Sequence, residues 1–235
     1  MPADDFAAIP PGRALRYRLL SHLPGRHGLH YATKLRRGRR NETRRAFEGA
    51  LAGAAGGTCI DLGANLGEMT RRMSAVAGRV FAFEPDPWTA ERLRENTAAL
   101  GNVEVIEAAA GVSEGRVELF RSHGFEQNPA QRSLSSSVLA SKRNLDRSAP
   151  ITVRQVDFPR WLEDLDGEVA VLKIDIEGAE VALLERLFEA PALQRIAHIF
   201  VETHESRVPE LARRTEALRR RAAGMTRPAV NMDWE

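Results

Sequence analysis

The sequence predicts a doubly wound α/β fold, on three observations. From Thr58 onward, short apolar runs alternate with amphipathic ones, the pattern of strands joined by crossover helices in a parallel sheet. The centres of the apolar runs, among them "TCIDL", "RVFAFE" and "VAVLKIDI", are continuous rather than alternating, as in strands covered on both faces. The first run leads directly into a glycine-bearing turn, "DLGANLG", at the carboxyl end of a strand, where such sheets take their ligands. With 235 residues, 43% of them hydrophobic, the chain is long enough for one sizeable core.

Residues 1–50 stand apart from this alternation. "GRALRYRLLSHL" reads as a short amphipathic helix ended by Pro24-Gly25, and "NETRRAFEGALAGA" as a second helix with Asn41 as N-cap. Residues 1–45 hold eleven Lys or Arg against three acids, a surplus of +8, so a net charge of +2 leaves −6 for the remainder. A basic leader of this kind meets nucleic acid, acidic lipid or an anionic substrate. The aromatic interleaving of a base-stacking platform is missing. The expectation is therefore a solvated helical arm that covers a sheet edge or pairs with a partner subunit.

Residues 51–235 form the α/β domain. "TCIDL" is a strand, "EMTRRMSAVA" a helix stopped by Gly78, "RVFAFE" a strand, "PWTAERLRENTAAL" a helix stopped by Gly101, and "VEVIEAA" a strand. "GRVELF" and "ITVRQVDF" are strands on either side of a polar stretch, 123–149. A loop that long is functional or disordered, and Ser133 to Ser137, Lys142 and Arg143 mark it as a lid or acceptor contact. The alternation resumes with "VAVLKIDI", "AEVALLERLFEA", "AHIFVETH", "VPELARRTEALRRRAA" and a last strand in "PAVNMDW". No apolar run approaches the ~20 residues of a membrane span. The N-terminus lacks the basic and apolar regions of a signal peptide. Cys59, the only cysteine, excludes an internal disulfide and a cysteine-rich zinc site. A cytoplasmic protein is expected.

The glycine spacing of "DLGANLG" discriminates among ligands. A P-loop requires a lysine after its second glycine, and none follows Gly67. A dinucleotide site requires a glycine where Asn65 stands, so that the pyrophosphate can approach. D-x-G-x-N-x-G can still border a smaller zwitterion, such as the methionine part of S-adenosylmethionine, on a helix N-terminus that favours a carboxylate. Glu84 ends the next strand, seventeen residues after Gly67, where an acid can accept both ribose hydroxyls. Glu107, Ala108 and Ala109 end the third, and small residues there leave room for an adenine. Trp88, just after the ribose acid, either packs by the adenine or belongs to the core.

In order and spacing, "CIDLGANLGEMT", "FAFEPDP", "NVEVIEAAAG", "LKIDIEGAE" and "IFVETHE" resemble the FkbM family of S-adenosylmethionine-dependent methyltransferases, over residues 58–205. The resemblance implies a Rossmann-like class I methyltransferase sheet and methylation of a hydroxyl on a sugar, glycan or other natural product. It implies cofactor contacts from Asp61, Gly63, Ala64, Asn65, Gly67 and Glu84, with Ala109 near the base. The class I plan ends in a helix and an antiparallel hairpin, whereas only one helix and one short strand follow "VETHE" here. The exposed edge would need cover, from the N-terminal arm or from the second subunit of a homodimer.

Strand alternation places Lys173, Asp175 and Glu177 on one face of "LKIDIEGAE", and Glu202 and His204 on one face of "VETHE". On neighbouring strands the four titratable groups other than the lysine converge. They serve as a general base, with Asp175 foremost, for a hydroxyl attacking the methyl group. Alternatively they hold a divalent cation that lowers the hydroxyl's pKa, or form an ion-pair network neutralised by Lys173. The expected activity is O-methyl transfer to a small-molecule or glycan acceptor. Two rivals are RNA methylation using the basic arm, for which "DIEGAE" is the wrong kind of strand end, and a non-catalytic cofactor-binding subunit.

Overall fold

The computed structural model describes residues 9–23, 25–133, 136–142, 144–205 and 208–234. Pro24, expected at the end of the first helix, and Ser135 and Arg143 of the 123–149 loop lie outside them. The described residues fall into two compact units, one drawn from 9–49 with 233–234, the other Ala50–Met232.

In the first unit, α1 (Pro11–Ser21) begins on a proline whose missing N–H is not needed there. The next helix, α2, runs unbroken over Gly25–Ala52, so Asn41 is an interior residue and not the N-cap expected of it. The Arg, Lys, Leu and Ala residues of 26–40 are strong helix formers and carry the helix through the position where an asparagine would otherwise start one. Tyr17 and Tyr31 meet at 5.5 Å, with the Lys34 ammonium 5.4 Å from the Tyr17 ring.

The second unit is built on β1 (Thr58–Leu62), β2 (Arg79–Phe83), β3 (Val103–Ile106), β4 (Ala109–Gly111), β5 (Gly115–Leu119), β6 (Ile151–Asp157), β7 (Val169–Ile174), β8 (Ile196–Glu202) and β9 (Ala229–Trp234). Six strands form the main sheet in the order β3-β2-β1-β7-β8-β9. β1 pairs in parallel with β2 and with β7, which place Ala82 and Lys173 on either side of Asp61. Strand order therefore reverses between β1 and β7, and a ligand crevice belongs beyond their carboxyl ends. Ile60, Leu62, Leu172, Ile174, Ile199 and Val201 are wholly buried in the core.

A smaller sheet, β4-β6-β5, accounts for the break in the sequence rhythm. "VEVIEAA" is not one strand. The Ala108 N–H bonds back to the Ile106 carbonyl at 2.9 Å, and this turn sends β4 out of the main sheet to lie parallel to β6. "ITVRQVDF" ends one residue early, because the Asp157 carboxylate accepts the Arg160 N–H and caps a helix over Phe158–Asp164. That helix packs Phe158 and Trp161 edge-on against Phe83. The remaining helices include Glu68–Ser74 after β1, Pro87–Thr97 after β2, Glu180–Leu187 after β7 and Ala212–Ala223 after β8. No helix among the described residues is long and apolar enough to cross a membrane.

Candidate active site

The turn after β1 is fixed by its neighbours. The N–H groups of Gly63 and Ala64 both bond to the Phe83 carbonyl at the end of β2, and Gly63 has φ 75°. A Cβ on Gly63 would lie 1.8 Å from the Asp175 carbonyl oxygen. The glycine is thus required by the crossing of two strand-end turns, since the Asp175 N–H also bonds to the Leu62 carbonyl at 3.0 Å. Gly67, with φ 88°, sits where a side chain would strike Leu93.

A cleft opens over these turns. Of the residues expected at a cofactor, Gly63, Asn65, Glu84 and Ala109 line it. Asp61, Ala64 and Gly67 are not among its lining residues. Asp61 is fully buried and accepts the Thr70 hydroxyl at 2.7 Å, with the Lys173 ammonium 3.1 Å away. Lys173 also donates to the Gly63 carbonyl at 3.0 Å and stands 3.6 Å from Asp175. Asp61 therefore props the turn through Lys173, and Ala64 packs with Ala82 and Leu93.

Glu84 is buried at the end of β2. Its two oxygens accept the backbone N–H groups of Asn65 and Asp86, each at 3.0 Å. Burial pushes its pKa up to about 7 despite those bonds. Beside it the cleft wall is small and apolar, with Ala108, Ala109 and Ala110 together with Phe83 and Leu119. Trp88 is not a cleft residue: it meets Phe125 edge-on at 5.8 Å.

The 123–149 loop supplies the opposite wall through Ser133, Ser136, Ser137 and Val138. It is tied down by paired backbone bonds between Ser137 and Phe120, both 2.9 Å, and by the Ser137 hydroxyl, which donates to the Glu177 carbonyl. Ser133 meets the Asn65 side chain at 3.2 Å. Lys142 is buried with its ammonium 2.6 Å from Glu177, so it is an internal counter-charge.

The acidic residues do converge, but not by strand alternation. β7 stops at Ile174 and β8 at Glu202, so Asp175, Glu177 and His204 all lie in the turns beyond, and Glu177 takes φ 57°. The turns bring the His204 Nε2 to 3.1 Å from Glu177, 3.6 Å from Glu202 and 3.7 Å from Asp175. Asp175 and Glu177 line the cleft, while His204 lies behind them, only 2% exposed. Burial favours neutral His204, but the hydrogen bond to Glu180 and the charges of Glu180, Glu177 and Asp175 outweigh it and raise its pKa. Glu202 is raised to about 7, by burial and then by the charge of Asp175.

Glu180 is the residue that sequence reasoning missed. Fully buried, it accepts the Gly178 N–H at 2.6 Å and the His204 N–H at 3.0 Å, and it faces His204 Nδ1 at 3.2 Å. Its signal was the last acid of "DIEGAE", placed where a helix begins.

A model of the methyltransferase FkbM domain matches residues 61–223. The chain belongs to this family. Among the relatives of this FkbM-family chain is the 2-O-methyltransferase NoeI of Sinorhizobium fredii, 29% identical over 130 residues, covering 52% of this chain and 53% of the relative. Another is the hexuronic acid methyltransferase AglP of Haloferax volcanii, 30% identical over 148 residues, covering 61% and 54%. The chain thus spans about half the length of the curated relatives it matches. The crystal structure of methyltransferase FkbM from Methylobacillus flagellatus KT aligns with a TM-score of 0.40 at 17% identity, over 70% of this chain and 38% of that one. The fold is established by the strand order above.

Proposed function

We propose that this chain is an S-adenosylmethionine-dependent O-methyltransferase acting on a sugar or glycan hydroxyl, with the reaction assigned to residues 51–235. One observation carries the reading. A single cleft at the strand-order reversal has a buried carboxylate, Glu84, at one side and the accessible carboxylate of Asp175 at the other. The family supports it, as do one relative named for 2-O methylation and another for a hexuronic acid.

The cleft fits the donor. Glu84 is an acceptor for the ribose hydroxyls, and the wall of Ala108 to Ala110 admits a flat base. Gly63 and Asn65 border the methionine part. When bound, the donor supplies a methyl group on a positively charged sulfur, which leaves as a neutral thioether. Asp175 stands where the acceptor hydroxyl enters and receives its proton as the oxygen bonds to carbon. Lys173, held between Asp61 and the Gly63 carbonyl, fixes the Asp175 carboxylate from behind. Much of the acceleration comes from aligning acceptor and methyl group, which a cleft with tethered walls provides.

The test has two stages. Calorimetry with S-adenosylmethionine and its demethylated product checks donor binding, and labelled methyl transfer to a panel of hexuronic acid and neutral-sugar acceptors checks the reaction. Transfer to an oxygen of a sugar is expected. Absence of donor binding would sink the assignment.

A further inference from the structure

We propose that Asp175, Glu177 and His204 hold a divalent cation at the acceptor side of the cleft, with Glu202 beside them. The proposal deepens the methyl-transfer reading, on which the purpose of the ion rests. Its existence rests on the geometry around His204.

The His204 Nε2 is buried and has no hydrogen-bond partner. On the other edge of the ring, Nδ1 faces a Glu180 oxygen that can only accept. With the ring proton on Nδ1, Nε2 turns a lone pair toward the three carboxylates and can take a cation. These carboxylates draw positive charge to Nε2, and a bound cation supplies it in place of the second ring proton that they otherwise favour. Asp61 and Asp175 share the Lys173 ammonium, and the Lys142 ammonium stands against Glu177.

The spacing suits an ion. Donors about 2.1 Å from one cation stand roughly 3.0–3.4 Å apart in octahedral or tetrahedral arrangements. The three oxygens lie 3.1 to 3.7 Å from Nε2, and ligand atoms of Asp175, Glu177 and His204 all fall within 4.8 Å of one another. Glu180 completes the arrangement as the carboxylate behind a metal-binding histidine, fixing tautomer and ring orientation. One imidazole with several carboxylates suits a first-row divalent ion such as Mn²⁺. Because Asp175 and Glu177 line the cleft, the ion can bind an acceptor that offers two neighbouring oxygens, a diol or a hydroxy-carboxylate, and lower the pKa of the hydroxyl.

Mn²⁺ titrated into the chelator-treated full chain, followed by its paramagnetic resonance, reads the site directly. One bound Mn²⁺ per chain is expected. Asp175→Asn, at a side chain 27% exposed, should weaken binding at least ~10-fold, and His204→Gln should abolish it. Calorimetry with the demethylated donor product confirms that each variant keeps its cleft. Donor binding with no Mn²⁺ bound at millimolar levels overturns the cation and leaves methyl transfer standing; the Nε2 then carries a proton. Mn²⁺ binding with no donor binding supports the ion and removes methyl transfer. Mn²⁺ binding that Asp175→Asn leaves unchanged places the ion elsewhere and overturns the site.

Discussion

The two sides of the cleft bury carboxylates in opposite ways. Glu84 is held by backbone: two N–H groups satisfy it, the charges of Asp86 and Lys173 are lesser influences, and its pKa climbs to about 7 through burial. Asp175 belongs to a crowd in which three carboxylates face one imidazole and two lysines are already engaged. Backbone donors hold a carboxylate without neutralising it and leave it ready for a neutral diol. A crowd of anions instead attracts positive charge. In the proposed reaction one side would take the nucleoside, the other a cation or the proton leaving a hydroxyl.

Gly63→Ala should break both sides at once. A Cβ meets the Asp175 carbonyl at 1.8 Å, on a residue with φ 75°, and the combined clash and strain should cost ~3 kcal/mol or more in denaturant unfolding. A variant as stable as the parent would show that the two turns do not touch. Asp175→Asn separates the sides: turnover should fall ~10²–10⁴-fold while donor affinity, read by calorimetry, stays nearly constant. Equal losses in both would merge the two sides into one.

Glu84→Gln is the mirror experiment. Donor affinity should drop by about 10- to 100-fold, the worth of hydrogen bonds to a charged acceptor, while Mn²⁺ affinity stays unchanged. The sign of the pH dependence follows from burial. Ribose hydroxyls donate to the ionised carboxylate, so the bound pKa lies below the free value of about 7. Donor affinity should then rise with pH and level off above about 7, and the rise should vanish in Glu84→Gln. For folding the sign is reversed: a pKa raised from 4.5 to about 7 gives stability that is full below 4.5 and fades as pH rises through 7. The smallest effect should come from Ser133→Ala, which removes the contact to Asn65. About 0.5–1.5 kcal/mol in donor binding is expected, and a larger change would mean that the loop wall holds the donor itself.

Much of this was legible in the sequence. Alternating apolar runs fixed the parallel strands flanking β1, and Glu84 was recognisable from its place at a strand end. Two features escaped for a common reason. The separation of β4 from β3 depends on one backbone bond, Ala108 to Ile106, which leaves no trace in residue type. The inward role of Asp61 depends on its register opposite Lys173, set by pairing across more than a hundred residues. The convergence of Asp175, Glu177, Glu202 and His204 was expected from side-chain alternation, yet it arises in turns where alternation no longer holds. Asn41 misled because capping preference is local, whereas helix continuation draws on the whole run of residues before it.

The crossing of the turns after β1 and β7 has a mechanical corollary. With the Gly63 backbone pressed against that of Asp175, a shift in either strand-end turn is transmitted to the other. The serine-bearing wall leans on both turns, through Ser133 on Asn65 and Ser137 on Glu177, so it follows the same movement.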